Sequence, residues 1–248
     1  MLLSELDRYL GLELQVERYR DYCPNGLQVE GRSEVKRLVS GVTASLDFLK
    51  AAVAAGADAV LVHHGYFWKG EDARIVGVKR ARLEWLLRHN LSLLAYHLPL
   101  DAHPVFGNNA QLAGKLGAAL EGWFGEQNIA AHGSLHEAMA LAAWAEKIAT
   151  ELGRPPLVIG DAAQPLRRVA WCSGGGQGYF EEAIRLGVDA FLTGEISEQN
   201  VHLARETGVA FIAAGHHATE RYGVQALGAS LAGQFGIEHR YIEIANPV

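Results

Sequence analysis

The sequence of 248 residues predicts an α/β protein built from two similar units that are related by internal duplication. The first observation is a repeat: the segment 56–64, GADAVLVHH, recurs 131 positions later as 187–195, GVDAFLTGE. The second is that both copies read as strand, helix and strand, which favours α/β units with largely parallel strands. The third is that histidines and carboxylates follow these strands, where open α/β sheets gather their ligands.

The elements of the first copy follow from local patterns. The apolar segment 38–41 predicts a short strand, and Ser45 is placed to cap a helix whose apolar residues recur at helical spacing. Gly56 ends that helix, and the segment 59–62 predicts a buried strand. The same pattern predicts equivalent elements in the second copy.

A second match follows further along the chain. The segment 94–97, LAYH, aligns with 213–216, AAGH, at an offset of 119, and Asp101 then falls on Glu220. The change of offset gives the first copy 12 extra residues, which we expect around 69–91.

We therefore expect a first α/β unit over 1–125 and a second over 126–248, whose C-terminal segment could pack back on the first. Within the insertion, 80–89 predicts a helix. Between the copies, 135–152 predicts an amphipathic helix that Gly153 ends.

The composition excludes several classes of protein. A net charge of −6 and a pI of about 6.0 argue against a broad electrostatic grip on nucleic acid. No apolar run approaches the ~20 residues of a membrane span, and residues 1–7 lack the basic start of a signal peptide. Cys23 and Cys172 are therefore expected to be reduced, buried thiols. Together these features predict a cytoplasmic protein without a membrane partner.

His63 and His64 are adjacent at the end of a predicted strand. Side chains of neighbouring strand residues point apart, so the pair is better placed to serve two ions than to chelate one. An isolated pair of this kind is more often one core histidine beside one solvated histidine. Here the pair is accompanied by two further clusters.

Each of these clusters places a carboxylate four residues after a strand-end histidine, in His97 with Asp101 and in His216 with Glu220. On a helix that spacing puts both groups on one face, although Pro99 disfavours a regular helix in the first copy. Imidazole and carboxylate ligands suit zinc, iron, manganese or cobalt better than calcium. The clusters predict a metal site at the C-terminal ends of the strands, between the two units.

Other residues leave two interpretations open. The glycine-rich turn 173–178 could offer N–H groups to a phosphate, or could be a tight turn packed against the metal loops. Glu195 is equivalent to His64 and could act as a general base or as a hydrogen-bond acceptor for a ligand imidazole. We expect His217 to lie outside the direct ligands or to have a packing role. We expect the thiol of Cys172 to be inert.

Several segments resemble a known family, the GTP cyclohydrolase 1 type 2 homologs, also called the NGG-interacting-factor-three-like family. They are 25–29 (NGLQV), 63–70 (HHGYFWKG), 96–104 (YHLPLDAHP) and 215–221 (GHHATER). The similarity runs from about Asp21 to Pro247 and is to the short bacterial form, since no extra domain separates the halves.

The resemblance implies two divalent metal ions per chain. Carried over by position, the ligands are His63, His64, Asp101, His216 and Glu220. Glu220 would bridge both ions, with His63 and Asp101 on one ion and His64 and His216 on the other. His97 lies near this set without belonging to it. The resemblance also implies a ring-shaped homo-hexamer.

The family name implies opening of the purine ring of GTP. A metal-dependent hydrolase of another nucleotide-like substrate would use the same residues, with Glu195 as the candidate catalytic residue. The alternative is a non-catalytic metal-binding scaffold or regulatory partner. An open coordination position distinguishes an enzyme from a closed structural site.

Overall fold

Strands and helices alternate along most of the chain in the computed structural model, which describes residues 1–248. The helices are α1 (Leu3–Glu13), α2 (Leu46–Ala54), α3 (Gly77–Arg88), α4 (Leu98–Ala102), α5 (Asn108–Leu116), α6 (Leu141–Leu152), α7 (Phe180–Arg185), α8 (Glu198–Thr207) and α9 (His216–Phe235). The strands are β1 (Gly26–Val29), β2 (Arg37–Thr43), β3 (Ala59–His64), β4 (Ser92–Ala95), β5 (Ala118–Phe124), β6 (Ala130–Ala140), β7 (Leu157–Ile159), β8 (Pro165–Cys172), β9 (Ala190–Thr193), β10 (Ala210–Ala213) and β11 (Glu238–Tyr241). None of the helices combines the length and the apolar character that crossing a lipid bilayer requires.

The backbone packs as two units that interleave along the chain. The first comprises residues 1–100 and 223–245, and the second comprises 101–222 and 246–248. The sequence pattern suggests a division after residue 125, with a C-terminal segment that could pack back on the first unit. In the structure β5 pairs with β6 in the second unit, and β11 pairs with β2 in the first.

The first unit is built on a five-stranded sheet in the order β1-β4-β3-β2-β11. Its strands are parallel except β1, which runs antiparallel to β4 at the edge. Ser45 caps α2, because its side chain accepts a hydrogen bond from the N–H of Phe48 at 3.3 Å. Phe48 and Leu49 then bury completely in the core of this unit.

The second unit is built on a six-stranded sheet in the order β5-β6-β8-β9-β10-β7. Only β8, β9 and β10 are parallel, so the sheet is mixed. One core contains Trp144 and Trp171, and another contains Phe180, Phe191 and Phe211. These buried aromatic side chains fix the central parallel strands, whose C-terminal ends carry the polar residues described below.

The two units repeat the same local structure at an offset of 131. Asp58 accepts hydrogen bonds from the backbone N–H groups of residues 36–37, both at 2.9 Å. Asp189 accepts from the N–H groups of residues 167–168, at 2.7 and 2.8 Å. The aspartate thus ties the start of one parallel strand to the start of the next in both units, which confirms two similar α/β units.

The second alignment is wrong by one residue. Ser92 pairs with the first residue of β3, and Ala210 pairs with the first residue of β9, so the structural offset is 118 (210 − 92). His97 is therefore equivalent to Gly215, and His216 has no histidine counterpart in the first unit. Short apolar segments align equally well at either offset, and only strand register decides between them.

Two expected helices need correction. The helix expected over 135–152 begins at Leu141, because residues 135–140 continue β6, which pairs with β8. The helix expected over 80–89 is present as α3, but it is the counterpart of α8 rather than an elaboration. Most of the extra residues of the first unit lie instead in the loop 65–76.

Candidate metal centre

His63 and His64 end β3 in the first unit. His63 is fully buried, and its Nδ1 donates to the backbone oxygen of Tyr96 at 2.9 Å. Because a carbonyl only accepts, this bond puts the proton of the neutral ring on Nδ1 and the lone pair on Nε2. That is how histidines are usually oriented for a metal ion. Nδ1 of His64 lies 3.1 Å from Oγ1 of Thr43.

His97 brings a third imidazole to this pair. One ring nitrogen from each of His63, His64 and His97 falls in a group whose members lie within 4.8 Å of one another. Asp21 fixes the ring of His97, because its Oδ1 lies 2.7 Å from Nδ1 of His97. Burial raises the pKa of Asp21, but hydrogen bonds and charge from His97 and a hydrogen bond from Asn25 outweigh it and lower the pKa overall.

The segment 25–29 (NGLQV) supports this cluster through hydrogen bonds, a role that the sequence did not reveal. The side-chain oxygen of Asn25 accepts from the N–H of His97 at 2.7 Å. The side-chain oxygen of Gln28 accepts from the N–H of Tyr66 at 2.7 Å, and a side chain on Gly65 would collide with it. The turn after His64 is therefore held by a polar edge strand.

Asp101 lies in α4, at the first residue of the second unit, and is 5% exposed. Pro99 does not prevent this helix, because it occupies the first turn, where its missing N–H has no helical partner to lose. Oδ1 of Asp101 accepts from Oγ of Ser173 at 2.8 Å and from Nδ2 of Asn108 at 2.9 Å. The carboxylate is thus held in one orientation by two neutral donors.

His216 and Glu220 lie one turn apart at the start of α9, as their spacing predicts. Nε2 of His216 is 3.2 Å from Oε2 of Glu220, which is almost fully buried. One carboxylate oxygen of Asp101 and one of Glu220 lie within 4.8 Å of each other. The second unit therefore brings together an imidazole and two carboxylates.

Glu195 binds the far side of the His216 ring. Its Oε1 lies 2.7 Å from Nδ1 of His216, and its Oε2 accepts from Nε2 of Gln177 at 3.1 Å. Burial lowers the pKa of His216, but the hydrogen bonds and charges of Glu220 and Glu195 outweigh it and raise the pKa to about 9. The imidazole of His216 thus lies between two carboxylates, which stabilise positive charge on the ring.

The glycine-rich turn 173–178 packs against this group of residues. Its N–H groups at 173, 174 and 176 donate to side-chain oxygens of Asn109, Thr219 and Thr193, respectively. These three bonds agree with the tight-turn interpretation drawn from the sequence.

The remaining candidates, two cysteines and one histidine, are buried. Cys23 and Cys172 are both free and buried. Burial, followed by the charges of Asp101 and Glu220, raises the pKa of the Cys172 thiol well above its usual value, which favours the protonated thiol. His217 is buried, and its N–H donates to the oxygen of Val248 at 3.0 Å.

The donors fit borderline divalent cations. One unit supplies a cluster of imidazoles, the other supplies an imidazole with two carboxylates, and both sets are held by hydrogen bonds from behind. The sequence identified these side chains, but it missed their supports. Asp21, Asn108 and Ser173 carried no signal beyond being polar residues in turns.

The fold and these clusters define a duplicated α/β protein with residue groups able to hold metal at its strand ends. The family model of Duf34/NIF3 (NGG1p interacting factor 3) matches residues 1–247, and the chain belongs to this family.

Known relatives cover nearly the whole chain. A Pseudomonas aeruginosa protein named GTP cyclohydrolase 1 type 2 homolog is 60% identical, over 99% of this chain and 97% of its own length. The solved structure of protein ybgI, described as of unknown function, has a TM-score of 0.97 at 49% identity and covers 100% of both chains. The structure of TTHA1606 from Thermus thermophilus has a TM-score of 0.90 at 34% identity, again over 100% of both chains.

Proposed function

We propose that this chain is a hydrolase of a nucleotide-like substrate that depends on two divalent metal ions. The proposed ligands are His63, His64, Asp101, His216 and Glu220, with Glu220 shared between the ions. The donor chemistry of each unit supports this assignment, and zinc, iron, manganese or cobalt suits it. When bound, such ions would activate water and polarise an oxygen of the substrate.

The observation that carries the proposal is the chain of contacts from Glu195 through His216 to Glu220. The side chain of Glu220 is 4% exposed, that of His216 is 29% exposed and that of Glu195 is 39% exposed. This series of contacts therefore leads from the buried Glu220 to the partly exposed Glu195. A structural metal site is closed, whereas a catalytic one needs access for water and substrate.

Glu195 also lines a cleft of about 650 Å³ in the second unit, within the usual size range of ligand pockets. We call it the Arg154 cleft; its lining includes Arg154, Pro156, Leu157, Glu195, Ile196 and Gly215. A substrate held there would meet the carboxylate of Glu195. We therefore propose Glu195 as the general base that takes a proton from the attacking water, in addition to orienting His216.

The name of the relatives suggests GTP as the substrate and ring opening as the reaction. The alternative function is that of a non-catalytic metal-binding scaffold. The deep burial of His63 and Glu220 is equally compatible with that function. The side chains of Glu195 and His216 are partly exposed, so water and substrate can reach them, and this favours the hydrolase.

Metal analysis followed by an activity screen tests this proposal. We expect close to two divalent ions per purified chain by mass spectrometry, and a sharp loss in His63→Ala and Glu220→Ala. His202→Ala, at an exposed position on α8, is the matched control and should retain both ions. The same preparation is then screened over nucleotides with each ion restored. Full occupancy without turnover of any nucleotide would leave the scaffold as the better description.

Assembly and location extend the proposal. The family resemblance supports a homo-hexameric ring, for which light scattering should give a mass near six times 26.9 kDa. A cytoplasmic location is supported by the two free, buried cysteines, because thiols stay reduced in that compartment.

A further inference from the structure

Arg154 has a buried guanidinium nitrogen that the protein leaves without a partner. Its Nη1 is shielded from solvent and makes no hydrogen bond. By contrast, the nearby Arg221 donates to the backbone oxygen of Leu152. Buried charges in proteins are ordinarily paired, and a guanidinium presents several donors in a fixed plane. This nitrogen is itself shielded, so a ligand would meet the guanidinium on the side of Arg154 that lines the cleft.

The local sequence holds Arg154 in place. Gly153 ends α6 at φ +70°, and the N–H of Arg154 then bonds the oxygen of Ala149 at 3.1 Å. Pro155 and Pro156 follow, and each restricts the backbone of the residue before it as well as its own. The backbone at Arg154 is thus restricted by its local sequence.

The guanidinium lies against the backbone of Gly215, at the end of β10. A Cβ atom at Gly215 would collide with Nη1 of Arg154, and the φ of +101° there also disfavours any side chain. Gly215 precedes His216, and Glu195 lines the same cleft. The unpaired nitrogen of Arg154 therefore lies next to the group of residues that we propose to be catalytic.

We propose that the Arg154 cleft binds the phosphate group of the substrate through the guanidinium of Arg154. Arginine recognises oxyanions through paired N–H donors, and phosphate offers several acceptor oxygens. Pro156, Leu157 and Ile196 add apolar surface to the cleft, which suits the body of a phosphorylated small molecule.

Two other features of the second unit agree with this assignment. The carboxylate of Glu195 is engaged by His216 and Gln177, so both of its oxygens already have donors. Three N–H groups of the glycine-rich turn, at residues 173, 174 and 176, are bonded to side-chain oxygens. Arg154 is the cationic side chain in the lining of the cleft.

The inference rests on the proposed function for the identity of the substrate, but inorganic pyrophosphate tests the site itself without any turnover. Pyrophosphate binding is measured by calorimetry on purified protein and on Arg154→Gln. Arg167→Gln, which removes an exposed arginine from the same unit, is the matched control. We expect Arg154→Gln to weaken binding on the order of tenfold or more, and Arg167→Gln to leave it unchanged. Equal binding by Arg154→Gln and the wild type would overturn the proposal.

Two further arms remove ambiguity. Pyrophosphate could also bind to metal ions, so the comparison is repeated in the His216→Ala background. The effect of Arg154→Gln on pyrophosphate binding should persist there. Loss of that effect would place the anion on the metal instead. Succinate serves as a carboxylate probe, and if it bound more tightly than pyrophosphate, with the same dependence on Arg154, the phosphate assignment would be wrong. Arg154→Lys should recover only part of the affinity, because lysine keeps the charge without the planar donor pair.

Discussion

The backbone of Gly174 lies directly against the carboxylate of Glu220. A Cβ atom at position 174 would collide with Oε1 of Glu220 and come within 3.1 Å of Nε2 of His216. Gly174 also has a φ of +61°, which side chains rarely adopt. The glycine-rich turn therefore makes room for two of the proposed metal ligands.

This contact predicts that Gly174→Ala displaces Glu220 and lowers metal content. Strain at φ +61° adds about 1–2 kcal/mol of destabilisation to the clash. Gly178→Ala is the control from the same turn, because a Cβ there meets nothing within 4 Å. Metal analysis and urea unfolding are measured on both variants. Equal metal content in the two would show that the close approach of Gly174 is unimportant for the site.

A second prediction separates catalysis from metal binding at Glu195. Glutamine at this position can still accept a hydrogen bond from His216 but cannot take a proton, so Glu195→Gln should keep both ions and lose ~10²–10⁴-fold in turnover. Asp101→Asn should instead lose metal and activity together. The readouts are metal content and steady-state rate on the same preparations. If Glu195→Gln lost as much metal as Asp101→Asn, Glu195 would be a structural support and not a base.

A third prediction concerns Asp21, which holds the imidazole cluster from behind. Its carboxylate accepts hydrogen bonds from Nδ1 of His97, the N–H of Leu98 and Nδ2 of Asn25, at 2.7, 2.9 and 2.8 Å. Asp21→Ala leaves these donors without an acceptor and should lower the free energy of unfolding by about 2–4 kcal/mol in urea.

Asp72→Ala is the control for Asp21, because Asp72 forms a solvent-exposed ion pair with Arg74. Pairs of this kind contribute about 0–1 kcal/mol. A loss at Asp21 no greater than at Asp72 would mean that the hydrogen bonds around His97 add nothing to stability.

A fourth prediction is a pH dependence from His239 in β11. Burial lowers the pKa of His239 below its ordinary value of 6.5. Above pH 6.5 the imidazole is neutral in both the folded and the unfolded chain, so it contributes no pH dependence. Below that pH the unfolded chain takes up a proton that the folded chain resists. The free energy of unfolding should therefore fall as the pH is lowered from 6.5 towards the folded pKa.

Urea unfolding of metal-free protein between pH 7 and pH 5 checks this, with His239→Gln expected to show a shallower decline than the wild type. His202→Gln, at an exposed position, should decline as steeply as the wild type. The ring of His239 packs against Gly228 and its Nε2 lies 2.8 Å from Oγ of Ser40. An unchanged slope in His239→Gln would show that this packing does not resist protonation.

The sequence by itself was sufficient for the duplication and for the clusters of histidines and carboxylates that contain the candidate ligands. A strand that ends in His63 and His64, and a helix with His216 and Glu220 one turn apart, depend only on periodicity over a few residues. The equivalence of Asp58 and Asp189 was likewise visible as a repeat, because the same local hydrogen bonds require the same residue at the same place.

Tertiary structure alone decided which residues support those ligands and how the units are composed. Ser173 bonds Asp101 across 72 positions and Asp21 bonds His97 across 76, and no local pattern marks such pairs. The equivalence of His97 with Gly215 depends on strand register, which backbone pairing sets across distant segments. Arg154 had the pattern of a turn residue in the sequence, and only the folded chain places one of its guanidinium nitrogens, Nη1, against Gly215 without a hydrogen-bond partner. Each of these features depends on contacts between segments far apart in sequence, and those form only when the sheets assemble.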